Sequence, residues 1–206
     1  MMRRLLLLAG IAGLATVAAA GLLRQSPRGT AGAALAAGDA APLDWDGLGL
    51  VSIEGAPFPA GFFDGKAVLV VNTASFCGYT DQYEGLQALW EARREAGLIV
   101  LGVPSNDFGD QEPGSEGEIK EFCETTFGIT LPMTTKQRVK GPDAHPLYRW
   151  AADATGPAGV PKWNFHKLLV GRDGRLAAWF PTRVAPGDPR LAEAIDAALA
   201  EPPPDA

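Results

Sequence analysis

Apolar residues in this chain fall into two kinds of run, short unbroken ones and longer ones with helical spacing, and the two kinds alternate. Ala67-Val-Leu-Val-Val-Asn72 and Leu98-Ile-Val-Leu-Gly-Val103 are continuous and rich in β-branched residues, the pattern of strands buried on both faces. Between them, residues 81–96 place Tyr83, Leu86, Leu89 and Trp90 at helical spacing, with Glu91 and Glu95 on the polar side and Gly97 as a stop. Strand, helix and strand joined by short connections predict a right-handed βαβ unit with parallel pairing. Ser115, followed three residues later by Glu118, marks the start of a helix that reaches Phe127. A shorter helix is predicted over 145–154. Lys167–Val170 and Leu176–Phe180, turning at Asp173-Gly174, predict a hairpin. A last helix over 189–199 carries Leu191, Ile195, Ala198 and Leu199 on one face.

The order β–α–β–α then β–β–α predicts an α/β chain of thioredoxin-like architecture, a mixed central sheet flanked by helices. Composition narrows what such a fold can do. Two cysteines exclude a disulfide framework and an all-cysteine zinc site. Two distant histidines give no recognisable metal spacing, so no metal and no cofactor is expected. A net charge of −6 lacks the basic footprint of a nucleic-acid binder.

The first residues stand apart from this pattern. Arg3 and Arg4 precede an uncharged run from Leu5 to Leu23, in which Ala18-Ala-Ala20 before Gly21 offers a cleavage site. Residues 1–23 read as a signal peptide or a membrane anchor, and either one exports the rest of the chain. Residues 24–41 read as an Ala/Gly-rich flexible spacer, 42–201 as the folded domain, and 202–206 as a disordered tail.

Chemistry gathers where the predicted strands end. Cys77 lies between the first strand and the first helix, with Thr80 as expected N-cap and Asp81 as first helical residue. A thiol there meets unpaired backbone N–H groups and the positive helix end, which favour the thiolate. Cys77-Gly-Tyr-Thr80 is not a CxxC pair, which speaks against a thiol–disulfide oxidoreductase.

Three segments taken together, Asn72–Thr80, Gly102–Gly114 with its Gln111-Glu-Pro-Gly114, and Trp163-Asn164-Phe165, resemble the glutathione peroxidase family. The resemblance runs from about Val51 to about Leu199. It implies a thiol peroxidase in which Cys77 is the peroxidatic residue and Gln111, Trp163 and Asn164 complete a catalytic tetrad. These residue types suit that chemistry: neutral amide and indole donors can hold a peroxide without raising the thiol pKa as a fixed carboxylate would. The implied substrates are hydrogen peroxide and organic or lipid hydroperoxides. The implied reductant is a thioredoxin-like protein or a small thiol such as glutathione.

Cys123, in the predicted second helix, falls in the region where family members reduced by thioredoxin carry a resolving cysteine. Its distance to the next aromatic, Phe127, differs by one residue from that pattern. A resolving thiol, a buried helix residue and a static disulfide all remain open for it. Asp107 stands where the family usually has glutamine and is expected as a solvated loop carboxylate. Ser105 stands where cysteine is frequent. His145 is expected to be structural, and His166 to support the site from behind at most. The short loop from Gly156 to Lys162 resembles those of monomeric members, and the spacer would allow the domain to lie near a membrane. A non-catalytic thioredoxin-fold binding or assembly protein of the envelope is the alternative; the retained Gln111, Trp163 and Asn164 speak against it.

Overall fold

The computed structural model describes residues 41–202. The expected leader, most of the spacer and the end of the tail lie outside the described residues. Four strands form one sheet: β1 (Ala67–Thr73), β2 (Leu98–Pro104), β3 (Lys167–Val170) and β4 (Leu176–Phe180), in the order β2-β1-β3-β4. β1 pairs parallel with β2 and antiparallel with β3, and β3 pairs antiparallel with β4. Four helices surround it: α1 (Gln82–Arg93), α2 (Glu116–Phe127), α3 (Pro146–Thr155) and α4 (Pro189–Ala200).

Why the strand runs are apolar throughout is explained by the layers. Alternate residues of β1 enter two separate cores: Ala67, Leu69 and Val71 one, Val68 and Val70 the other. The first core takes Tyr83, Leu86 and Leu89 of α1, Ile119 and Cys123 of α2, and Leu191, Ile195 and Ala198 of α4. The second takes Leu147, Tyr148 and Ala151 of α3, together with Trp45, Leu50 and Phe63 from the segment ahead of β1. Each fully buried aliphatic side chain contributes about 2 kcal/mol, so the strand interiors are the least substitutable part of the chain.

Local signals set the ends of the elements. Ser115 and Glu118 form the expected capping box, and Gly128, in the left-handed conformation at φ 61°, closes α2. The hairpin turns through Gly171–Arg175, with Gly174 at φ 75°, and a bulge at Leu169/Val170 takes up the irregular register. The outer edge of β2 is covered: Gly102 N–H donates to Pro132 O at 2.9 Å, and Thr134 N–H donates to Gly102 O at 2.9 Å.

Two expectations need correction. Thr80 is not the N-cap of α1; Asp81 holds that place without a side-chain cap, and the helix begins at Gln82. Residues 77–81 instead form tight turns that leave the Thr80 hydroxyl free to bond within the Cys77 loop. Asp107 is not a solvated loop carboxylate: its Oδ2 accepts from Val139 N–H at 2.6 Å and Lys140 N–H at 3.2 Å. It ties the loop after β2 to the segment before α3, so its charge is spent on backbone donors.

Candidate active site

Three loops meet at one end of the sheet: Ala74–Thr80 after β1, Ser105–Gly114 after β2, and Trp163–His166 before β3. Because β3 runs against β1, with Lys167 opposite Val71, the residues entering β3 lie beside the carboxyl end of β1. Strand ends of this kind are where α/β folds collect their sites.

Asn72, near the carboxyl end of β1, pins the third loop to the first. Its Nδ2 donates to Trp163 O at 3.1 Å, and Phe165 N–H donates to Asn72 O at 2.6 Å. Phe165 sits at φ 61°, an unusual conformation for a bulky residue, and its ring is fully buried against Tyr83. The strain is held by that packing and by Lys167, whose Nζ donates to Phe165 O at 2.8 Å and to Gln82 Oε1 at 2.7 Å. Lys167 is wholly buried, and burial pulls its ammonium down to about 7.

Cys77 is 8% exposed at the head of α1. Tyr79 N–H donates to its Sγ at 3.5 Å, which aims a backbone donor at the sulfur. Thr80 knits this loop together: its Oγ1 accepts from Cys77 N–H at 3.1 Å and donates towards Cys77 O at 2.7 Å and Ala74 O at 3.0 Å. Phe76, beside the thiol, is 68% exposed.

The other three expected residues are drawn to the same place. Phe76 N–H donates to Gln111 O at 3.0 Å, linking the Cys77 loop to the loop after β2. Asn164 Nδ2 donates to Gln111 Oε1 at 2.9 Å, and Thr182 Oγ1 anchors Asn164 by donating to its carbonyl at 2.7 Å. A Cβ built on Gly109 would lie 3.8 Å from both Gln111 Nε2 and the Trp163 ring, so amide and indole flank one glycine. Trp163 packs on Phe108, with ring centroids 5.9 Å apart, yet stays 40% exposed. These contacts bring the Cys77, Gln111 and Trp163–Asn164 loops together, and none of the four side chains carries a carboxylate.

Cys123 is fully buried on the inner side of α2 and is a free thiol, as is Cys77. Burial pushes its thiol up to about 11. Glu112, next to Gln111, is also fully buried, and burial raises its carboxyl to about 7 against opposing contacts with Ser75 and the Lys136 charge. His145 caps α3 through Nδ1, which accepts from Leu147 N–H at 3.3 Å, the structural role expected of it. His166 stacks on Trp179 at 5.7 Å behind the Trp163 loop, and burial pulls its imidazole down to about 4.

Asn72, Thr80, Glu112 and Lys167 carry the site without having been singled out from sequence as site residues. A signal was there for two of them: an asparagine and a lysine placed at the ends of otherwise apolar strand runs.

The sequence model of the glutathione peroxidase family matches residues 47–152. Trp163 and Asn164 lie beyond that match. The hydroperoxy fatty acid reductase gpx1 of Synechocystis is 43% identical over 150 residues, covering 69% of this chain and 89% of the relative. The thioredoxin/glutathione peroxidase BtuE of Escherichia coli is 41% identical over 161 residues, covering 68% of this chain and 88% of the relative. Among solved structures, Trgpx in apo form superposes with a TM-score of 0.60 at 34% identity, covering 75% of this chain and 94% of that one. A thioredoxin-family thiol:disulfide interchange protein from Chlorobium tepidum matches at a TM-score of 0.56 and 18% identity, covering 81% of this chain and all of that one, which establishes the thioredoxin-like fold alone. Sequence, fold and relatives agree: the chain belongs to the glutathione peroxidase family and is a peroxidase of the thiol-dependent kind.

Proposed function

We propose that the protein reduces hydroperoxides at Cys77, with Gln111, Trp163 and Asn164 as its partners in catalysis. The observation that carries this reading is the Asn164–Gln111 hydrogen bond at 2.9 Å, on a loop that also receives Phe76 N–H at 3.0 Å. In the first step the Cys77 thiolate attacks the terminal oxygen of the hydroperoxide. The O–O bond breaks, Cys77 becomes a sulfenic acid, and water or an alcohol departs once protonated. N–H groups of Gln111 and Trp163 steady the developing oxyanion.

In the second step the Cys123 thiol attacks the sulfenic acid and forms a disulfide, which a thioredoxin-like dithiol reduces. Support comes from the place of both free thiols in one core cluster. Organic hydroperoxides with apolar chains are favoured substrates, since Phe76 and Tyr79 stand exposed on either side of Cys77 and a relative is named a hydroperoxy fatty acid reductase. Arg3, Arg4 and the apolar run to Leu23 support export, with the domain working as a monomer outside the cytoplasm and near the membrane.

The test is the intact mass of the reduced protein after one equivalent of hydroperoxide, with Cys77→Ser alongside. Rapid gain of one oxygen or loss of two hydrogens is expected in the wild type only. An unchanged wild-type mass would remove Cys77 from the chemistry.

A further inference from the structure

A cluster of polar side chains lies between the Cys77 loop, α1 and α2 with no task in the oxidation of Cys77. The hydroxyls of Thr73, Ser75 and Tyr83 and both carboxyl oxygens of Glu112 are buried without a hydrogen bond of ordinary geometry. Buried groups in that condition are rare and call for a reason. They are nonetheless neighbours. Tyr83 lies against Thr73 and Cys123, and Ser75 lies against the Glu112 carboxyl. The Glu112 charge is felt at both Cys123 and Tyr83. Glu112 also lines a cavity of about 370 Å³ with Ser75, Phe76, Ile119 and Phe122, so it stands between the peroxidatic loop and the helix that carries Cys123.

We propose that Glu112 is the proton acceptor for Cys123 when that thiol attacks the sulfenic acid on Cys77, a role that rests on the resolving reading of Cys123. The Cys123 S–H bond breaks and its proton passes to the Glu112 carboxylate. The Cys123 sulfur bonds to the Cys77 sulfur, and the Cys77 S–O bond breaks. The departing hydroxide takes a proton from Glu112 and leaves as water. The Cys123 sulfur is oxidised by one electron and the Cys77 sulfur is reduced by one, so the step needs no other reactant.

The need for such a group arises from burial. A thiol pushed up to about 11 is almost wholly protonated near neutrality, and only the thiolate attacks well. Glu112, raised to about 7, can accept a proton at that pH and return it. The groups facing it are Tyr83 from α1, Cys123 from α2, the Lys136 ammonium, and Glu118 at the cavity wall. Glu118 is held by Ser115 in the capping box, and Lys136 donates to Gly114 O at 2.6 Å, so both charges are already engaged.

The experiment follows sulfenic-acid and disulfide formation in the same sample, by rapid quench and intact mass, in reduced wild type, Glu112→Gln, Glu112→Asp and Cys123→Ser. In Glu112→Gln the disulfide step is expected to slow about 100-fold relative to the sulfenic-acid step at pH 7. In wild type and Glu112→Asp that step should rise as pH passes about 7, where the carboxyl gives up its proton. In Glu112→Gln the rise should move to much higher pH. A disulfide step at the wild-type rate in Glu112→Gln overturns the proposal and leaves Cys123 resolving. Wild type that stops at the sulfenic acid, as Cys123→Ser should, overturns the resolving role and the proposal with it. A fold lost in Glu112→Gln would show as loss of the sulfenic-acid phase; Glu112→Asp then decides, and absence of its rise near pH 7 counts against Glu112.

Discussion

Asn164 Nδ2 donates to Gln111 Oε1 at 2.9 Å, which fixes the orientation of the Gln111 amide. With its oxygen engaged, Gln111 keeps its Nε2 as the free donor, close to Gly109, which the Trp163 ring also flanks. Replacing Gln111 by Ala removes a donor and should lower the rate of Cys77 oxidation about 100-fold. Gln111→Glu should lower it further at neutral pH, because a carboxylate beside the thiol disfavours the thiolate. Stopped-flow oxidation of Cys77 across pH separates the two effects, and equal rates in both variants would contradict this role for Gln111.

Thr80 holds the Cys77 loop by accepting from Cys77 N–H and donating back to carbonyls of the same loop. Thr80→Val keeps the shape and deletes these bonds, leaving a buried N–H unpaired. The expected loss is about 1–3 kcal/mol, with slower Cys77 oxidation, and Thr80→Ser should recover most of both. Urea melts and single-turnover rates measure this.

Lys167 is a buried ammonium satisfied by Gln82 Oε1 and Phe165 O. Its pKa falls from 10.5 in the ordinary case to about 7 in the fold. Between those values the unfolded chain binds a proton that the folded chain refuses, so this lysine makes stability rise with pH across that window. The difference in unfolding free energy between wild type and Lys167→Met should therefore move in favour of wild type from pH 7 to 10.5. Below pH 7 that difference should be flat. Melts at matched ionic strength provide the check.

Cys123 is buried and its thiol is held up to about 11, whereas Cys77 keeps some exposure beside an aimed N–H. Iodoacetamide at pH 7.5 should modify Cys77 in Cys123→Ser well before it modifies Cys123 in Cys77→Ser. Adding urea to the second variant should abolish its protection. Similar rates in the folded variants would show that α2 opens readily.

Legibility in the sequence tracked the range of the interactions. The strands, α2 with its capping box and the apolar face of α4 rest on periodicity and on contacts within a few residues, and these were readable. Cys77 was readable from its place between a strand and a helix, while Gln111, Trp163 and Asn164 became visible only as motifs matched jointly. Gln87 went unnoticed: a polar residue on the buried face of α1, it accepts from Thr130 N–H at 2.9 Å and Leu131 N–H at 3.3 Å. Its reason for being there lies far along the chain.

By itself the sequence determined which segments become strands and helices and which residue types are available at the strand ends, because short-range sterics and burial decide both. Only the tertiary structure decided what those residues do to one another. It turned Thr80 from a helix cap into the brace of the Cys77 loop, and it spent the Asp107 charge on the amides of Val139 and Lys140. It also buried Glu112 and Lys167 at the carboxyl end of the sheet. Such outcomes depend on desolvation and on hydrogen bonds between distant segments, neither of which exists until the layers close over the sheet.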